Sequence, residues 1–263
     1  MKRIFEFWQY RSFILGSVKR EFDVRYTNSL LGGAWAVAQP LALILVYTVV
    51  FSQVMRAKLP DLPDSFAFSI FLCSGVLTWG FFSETVGRLL NLFIGNAQWL
   101  KKLRFPRHCL ILITVLGTCI NFAIIFGLFI GFLVLSNRFP GWIFFQVVPL
   151  LALQLLFSVG LGVTLAILNV FFRDVGQLFN IVLQFWFWLT PIVYPLSVLP
   201  DYAQRIVHLN PMTDLVLAYQ EILVYGRTPN WIGLIPLLFI SLALCAFAAA
   251  LFRRHAAEIL DEL

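Results

Sequence analysis

Charge is scarce in this sequence. Only 12% of its 263 residues are Asp, Glu, Lys or Arg, roughly half the share of an average soluble domain. Hydrophobic residues make up 60% and aromatics 16%. That balance excludes a soluble enzyme domain, a disordered tail and a nucleic-acid-binding module, and points to a polytopic membrane protein. In a soluble protein the net charge of +6 would suggest nucleic acid. In a membrane protein it reflects cytoplasmic loops facing anionic lipid.

The usual chemical motifs are also missing. The four cysteines, Cys73, Cys109, Cys119 and Cys245, lie in apolar stretches without C-x-x-C spacing, and read as small buried hydrophobes. There is no G-x-x-x-x-G-K-[ST] loop to hold ATP and no H-E-x-x-H or paired Cys/His set for a metal. His108, His208 and His255 sit singly near span ends or in loops. The N-terminus does not read as a signal peptide, because charges recur from Lys2 to Glu21 with no clean apolar region between them. Glu84 is the one carboxylate near a span's body, and Asp174 follows Arg173 at a span end. Ion-coupled carriers place ionisable groups in mid-membrane. Their scarcity argues against self-powered transport and against a membrane-embedded transferase; a membrane enzyme of glycan synthesis would have to depend on Glu84 or Asp174.

What is present is a series of long apolar runs. A span takes about 20 residues, since a helix rises about 1.5 Å per residue through a core about 30 Å thick. Charge-free runs of about that length occur at 26–55, 65–83, 109–137, 139–172, 175–200 and 228–252. These predict an all-α protein of six transmembrane helices with no sizeable aqueous domain. Lys2, Arg3, Arg11, Lys19, Arg20 and Arg25 precede span 1, and Arg88, Lys101, Lys102, Arg104 and Arg107 lie between spans 2 and 3. Arg173, Arg253 and Arg254 fall on the same side, against Arg56, Lys58, Arg138, Arg205 and Arg227 on the other. Both termini are therefore expected in the cytoplasm.

Residues 2–25 place Ile4, Phe7, Trp8, Ile14, Leu15, Val18 and Phe22 on one helical stripe. The pattern fits an interfacial helix in the headgroup plane, or a helix packed on the loops. Segment 88–107 is the one long cytoplasmic connection, apolar on one side, basic at its end and closed by Pro106. It suits docking to a partner or simple anchoring at the interface. Segment 196–227 is the longest outer connection; its stretch from Pro211 to Tyr225 is too short to span and fits a re-entrant or interfacial helix. Aromatics crowd spans 1 and 5, among them Tyr47, Phe51, Trp186, Trp188 and Tyr194. They read either as lipid-facing bulk or as flat faces along which sugar rings could slide.

Several motifs stand together in order along the chain: Arg20–Tyr26 with Ser29–Gly32, Trp35 and Gln39-Pro40; Leu100-Lys101-Lys102 with Phe105-Pro106-Arg107; Asn169–Val175; and Trp188–Pro195 with Leu209-Asn210-Pro211. In this the sequence resembles the ABC-2 type permeases that export polysaccharides, most of all the O-antigen exporters, with capsule and teichoic acid exporters as near relatives. The resemblance covers nearly the whole chain, so 1–263 is expected to form a single ABC-2 transmembrane domain. It implies a homodimer in the bacterial inner membrane, enclosing a channel and bound to two ATPase subunits that carry ATP and Mg. It implies an interfacial helix at 1–25, a coupling helix within 88–107 and gate helices within 196–227. Asn96, Gln98, Trp99, Leu100, Lys101, Leu103 and Arg104 would meet the ATPase. The implied cargo is a polysaccharide on a lipid diphosphate such as undecaprenyl diphosphate. Lys19, Arg20 and Arg25 are candidates to receive the diphosphate, although the positive-inside bias alone would also place them there. Neither nucleic acid nor a metal is expected.

Overall fold

The structure is a computed structural model that describes residues 11–26, 32–50, 59, 65–102, 108–255 and 258–262. Its helices in chain order are α1 (Arg11–Tyr26), α2 (Trp35–Tyr47), α3 (Ser65–Leu90), α4 (Leu92–Gly95), α5 (Ala97–Lys102) and α6 (His108–Leu135). They continue with α7 (Val147–Phe171), α8 (Asp174–Trp188), α9 (Asp201–Val207), α10 (Pro211–Leu223), α11 (Ile235–His255) and α12 (Glu258–Asp261). Five stretches among the described residues are long and apolar enough to cross a membrane: 32–50, 66–90, 108–135, 141–171 and 235–255.

Two boundaries differ from the sequence reading, each for a physical reason. The second span does not stop at Ser83. α3 runs on through Glu84 and Arg88 to Leu90, because the two charges stand one turn apart with Nη1 and Oε1 3.6 Å from each other and neither ends a helix. The fifth run does not continue to Pro200. α8 ends at Trp188 after 15 residues, about 22 Å of rise, and Pro191 and Pro195 lie in the turns that follow. The chain then doubles back through α9 and α10. Of the proposed N-terminal helix, residues 1–10 lie outside the described residues. The remainder is α1, whose Ile14 and Val18 are buried against Cys109 and Ile113 of α6, while Leu15 is exposed.

α7 is the central element. It packs on α3, α11, α10 and α8. Apolar side chains gain little by leaving lipid for one another, so helix association there depends on close backbone approach and on polar contacts. α7 has both. A Cβ on Gly160 would lie 2.9 Å from the backbone nitrogen of Cys245 on α11, and one on Gly162 would lie 2.8 Å from Leu89 on α3. Gln154, fully buried, donates from Nε2 to the Thr78 carbonyl of α3 at 2.7 Å. It also accepts from the Tyr219 hydroxyl of α10 at 2.9 Å. One amide thus ties three helices.

Around this axis Phe82, Phe157, Trp79 and Trp186 meet edge to face or stacked, with centroids 5.3–6.4 Å apart, within the range where aromatic pairs attract. α10 returns deep into the bundle: Met212, Leu215, Val216, Tyr219 and Ile222 are fully buried.

Candidate functional site

The connection after α3 is built as an elbow. α4 and α5 are each shorter than two turns, and Asn96 between them donates its side-chain amide to the Leu92 carbonyl at 2.8 Å. Leu92, Phe93 and Leu100 point inward and join Leu89, Val163, Ile167, Val170, Phe252 and Ile259 in a second apolar cluster. This cluster links the elbow to α7, α11 and α12. Gln98 and Lys101 lie exposed on the outer side, together with Ile94. The candidate coupling residues therefore divide. Leu100 faces the bundle, Asn96 shapes the bend, and Gln98 and Lys101 face outward. Trp99 lies on α5 with its side chain outside the described residues, as are Leu103 and Arg104.

Asn169 fixes the geometry beneath the elbow. It is 2% exposed; its Nδ2 donates to the Leu90 carbonyl at 3.1 Å, and its Oδ1 accepts from the Gly176 backbone at 3.0 Å. One side chain thereby joins the end of α3 to the first turn of α8. A Cβ on residue 176 would lie 2.9 Å from Asn169 Oδ1, so Gly176 lets that approach occur.

At the opposite end of the bundle, Asn210 caps α10. Its Oδ1 accepts from the Met212 backbone at 3.0 Å, and Pro211 follows at the first helical position. The same oxygen accepts from the Trp186 indole at 2.7 Å, and Asn210 Nδ2 donates to Thr190 Oγ1 at 2.9 Å. The end of α8 is thus bolted to the start of α10. His208 Nδ1 lies 2.7 Å from Asp214 Oδ1 across the same turn.

The candidate channel aromatics occupy different surroundings. Trp186 is partly buried in the aromatic cluster and engaged by Asn210. Trp188 is 64% exposed. Tyr194 donates its hydroxyl to the Trp188 carbonyl at 3.0 Å, and partial burial pushes its phenol above the ordinary value. Tyr47 is half-buried against the core, and Phe51 lies outside the described residues. Lys19 and Arg20 are exposed on α1. Arg25 lies on the same helix, its side chain outside the described residues. Among the described residues no group of three His, Cys, Asp or Glu is placed to hold a metal.

In the sequence Asn169 and Asn210 stand only as letters of longer motifs, with nothing to mark their bonding partners. Gln154 and Tyr219 belong to no motif. An Asn before Pro is a helix-start signal, and a lone amide in an apolar run is a signal of interhelical bonding.

These features define a multi-pass membrane protein whose spans are locked by buried amides and whose elbow after α3 turns Gln98 and Lys101 outward. The sequence matches the family model described as "ABC-2 type transporter" over residues 14–224, and the chain belongs to that family. It is 33% identical over 262 residues to an O-antigen export system permease protein, RfbA, of Myxococcus xanthus, covering 98% of each chain. It is 29% identical to the protein of the same name from Klebsiella pneumoniae, covering 89% of this chain and 88% of that one. It is 25% identical to the polysialic acid transport protein KpsM of Escherichia coli, over 89% of this chain and 90% of that one.

Proposed function

We propose that this chain is the permease subunit of an ATP-driven exporter that moves lipid-linked polysaccharide, of O-antigen type, across a bacterial inner membrane. The observation that carries the reading is the end-to-end similarity to a protein named as an O-antigen export permease, 98% of each chain at 33% identity. The similarity to KpsM keeps capsular polysaccharide as the neighbouring cargo. Two copies of the chain would form the channel, and two ATPase subunits, which hold ATP and Mg, would bind the cytoplasmic face. Both termini would lie in the cytoplasm.

Gln98 and Lys101 would touch the ATPase, with Trp99, Leu103 and Arg104 beside them. Leu100 would pass the movement inward through the cluster that reaches α7 and α11. Nucleotide binding on the partner would shift the elbow and with it the spans, a rigid-body step of the hinge and shear kind. Lys19, Arg20 and Arg25 would receive the lipid diphosphate. Trp188 and Tyr194, with Tyr47, Phe51 and Trp186, would offer the polymer aromatic faces.

The test is to co-express the chain with the ATPase encoded beside it, purify the complex in lipid nanodiscs and assay ATP hydrolysis with and without lipid-linked polysaccharide. A 2:2 complex whose hydrolysis responds to that substrate is expected. A chain that binds no ATPase, or that modifies lipid-linked sugar on its own, would overturn the reading.

A further inference from the structure

A cavity of about 280 Å³ lies between α2, α3 and α6. Trp35 and Gln39 wall it from α2, Gly80, Phe81 and Glu84 from α3, and Asn121 from α6. Glu84 is the one acidic residue within the five long apolar stretches. A carboxylate at such a depth is costly and is characteristic of a functional position. It is held in place: Glu84 Oε2 accepts from Asn121 Nδ2 at 2.7 Å, and its Oε1 lies 3.6 Å from Arg88 Nη1. It stands six residues before the end of α3 at Leu90, about 9 Å along the helix. The cavity is therefore in the half of the bundle nearest the elbow.

The lining has a definite chemistry. A carboxylate accepts from hydroxyls, and the amides of Gln39 and Asn121 can both donate and accept. The half-exposed Trp35 ring offers an apolar face suited to ring C–H groups, and Phe81, stacked on Phe122 with centroids 4.3 Å apart, closes the wall. A hydrocarbon chain would leave the polar groups without use, and a phosphate would find no cation among the described residues that line the cavity. The volume corresponds to about nine waters at about 30 Å³ each, room for one ring rather than a run of them.

We propose that this cavity is a binding subsite for a single neutral sugar ring. The proposal rests on the polysaccharide-export reading and adds to it a recognition element within one copy of the chain, away from the aromatics of α8. It also places the bound ring against α3, the helix that leads directly into the elbow.

The test uses the chain in lipid nanodiscs free of sugar-based detergent. Saturation-transfer NMR is recorded with methyl α-mannoside, methyl β-galactoside, methyl α-rhamnoside and N-acetylglucosamine as probes. Wild type should transfer saturation to at least one probe. Gly80→Phe should reduce the signal at least fivefold, because a Cβ there meets nothing within 4 Å and the new ring grows into the cavity. Glu84→Gln, which keeps the shape, should reduce it at least threefold, and it carries the test if Gly80→Phe does not fold. An unchanged signal in a folded variant, or no transfer in wild type, overturns the subsite. The substrate response of the ATPase complex is measured in parallel. A retained response without pyranoside binding sinks the subsite alone, whereas pyranoside binding without an ATPase response sinks the export reading alone.

Discussion

Replacing Tyr219 by Phe tests the tie between α7 and α10. The hydroxyl donates to Gln154 Oε1 at 2.9 Å, and both residues are fully buried. The ring and its packing survive the change, so only the hydrogen bond is lost. A neutral bond contributes about 1 kcal/mol net, and a buried acceptor left unsatisfied costs about 1–3 kcal/mol more. Measured interhelical bonds in membranes are weaker, averaging about 0.6 kcal/mol with a maximum near 1.7. The buried setting of Gln154 places the expected loss toward the upper part of that range, about 1.5 kcal/mol. The cycle is completed with Gln154→Leu and the double variant. In the double variant the orphaned amide is gone, and the Thr78 carbonyl, in mid-helix, keeps its helical donor. The double variant should therefore be about 1 kcal/mol more stable than the sum of the singles predicts. Unfolding by SDS titration in mixed micelles, followed by tryptophan fluorescence, provides the measurement. Additivity to within about 0.3 kcal/mol would refute the view that Gln154 and Tyr219 act as one unit.

Further tests address the other fixed points. Asn210→Ala removes a helix cap and the acceptor of the Trp186 indole; it should destabilise by about 2 kcal/mol, with Trp186→Phe giving a smaller loss in the same titration. Gly160→Ala sets a methyl 2.9 Å from the backbone of Cys245; helix backbones cannot yield as a side chain can, so a loss of about 1–3 kcal/mol is expected. Leu100→Ala empties part of a buried cluster and should cost about 2–3 kcal/mol. The paired change Gln98→Ala with Lys101→Ala, on the exposed side, should leave stability within about 0.5 kcal/mol while abolishing substrate-stimulated ATP hydrolysis of the complex. Unimpaired stimulation in that pair would remove Gln98 and Lys101 from the coupling surface.

The spans were legible in the sequence because hydropathy over about 20 residues is a direct physical requirement of the bilayer. The limits of that rule are visible at α3 and α8. Glu84 and Arg88 end a charge-free run but not a helix, since an i,i+4 pair is compatible with helical geometry. The run from 175 to 200 is charge-free, yet hydropathy carries no information on where backbone direction changes; Pro191, Pro195 and the Asn210 cap supply it. Within the candidate site, a connection after α3, described over 91–102, was legible from its apolar side and basic residues. The direction of each side chain was not. Leu100 and Lys101 are adjacent in sequence, and only the packing of α4 against α7 and of α5 against α12 sends one inward and the other outward. The Gln154 network lay beyond reach because its partners are separated by 65 and 76 residues.

The shortness of α8 bears on the membrane around the protein. A helix of 15 residues covers about 22 Å of a hydrocarbon core about 30 Å thick. Its exposed side carries Leu178, Ile181, Phe185 and Trp188; in a single copy that side would meet lipid with a hydrophobic belt some 8 Å narrower than the bilayer. Each ångström of mismatch costs a fraction of a kcal/mol. Lipid would therefore thin against α8, or a second copy of the chain would cover it. An unpaired copy is therefore the thickness-sensitive form, and pairing relieves the mismatch. A series of bilayers of graded acyl length would act on α8 before it acted on the long helices behind it.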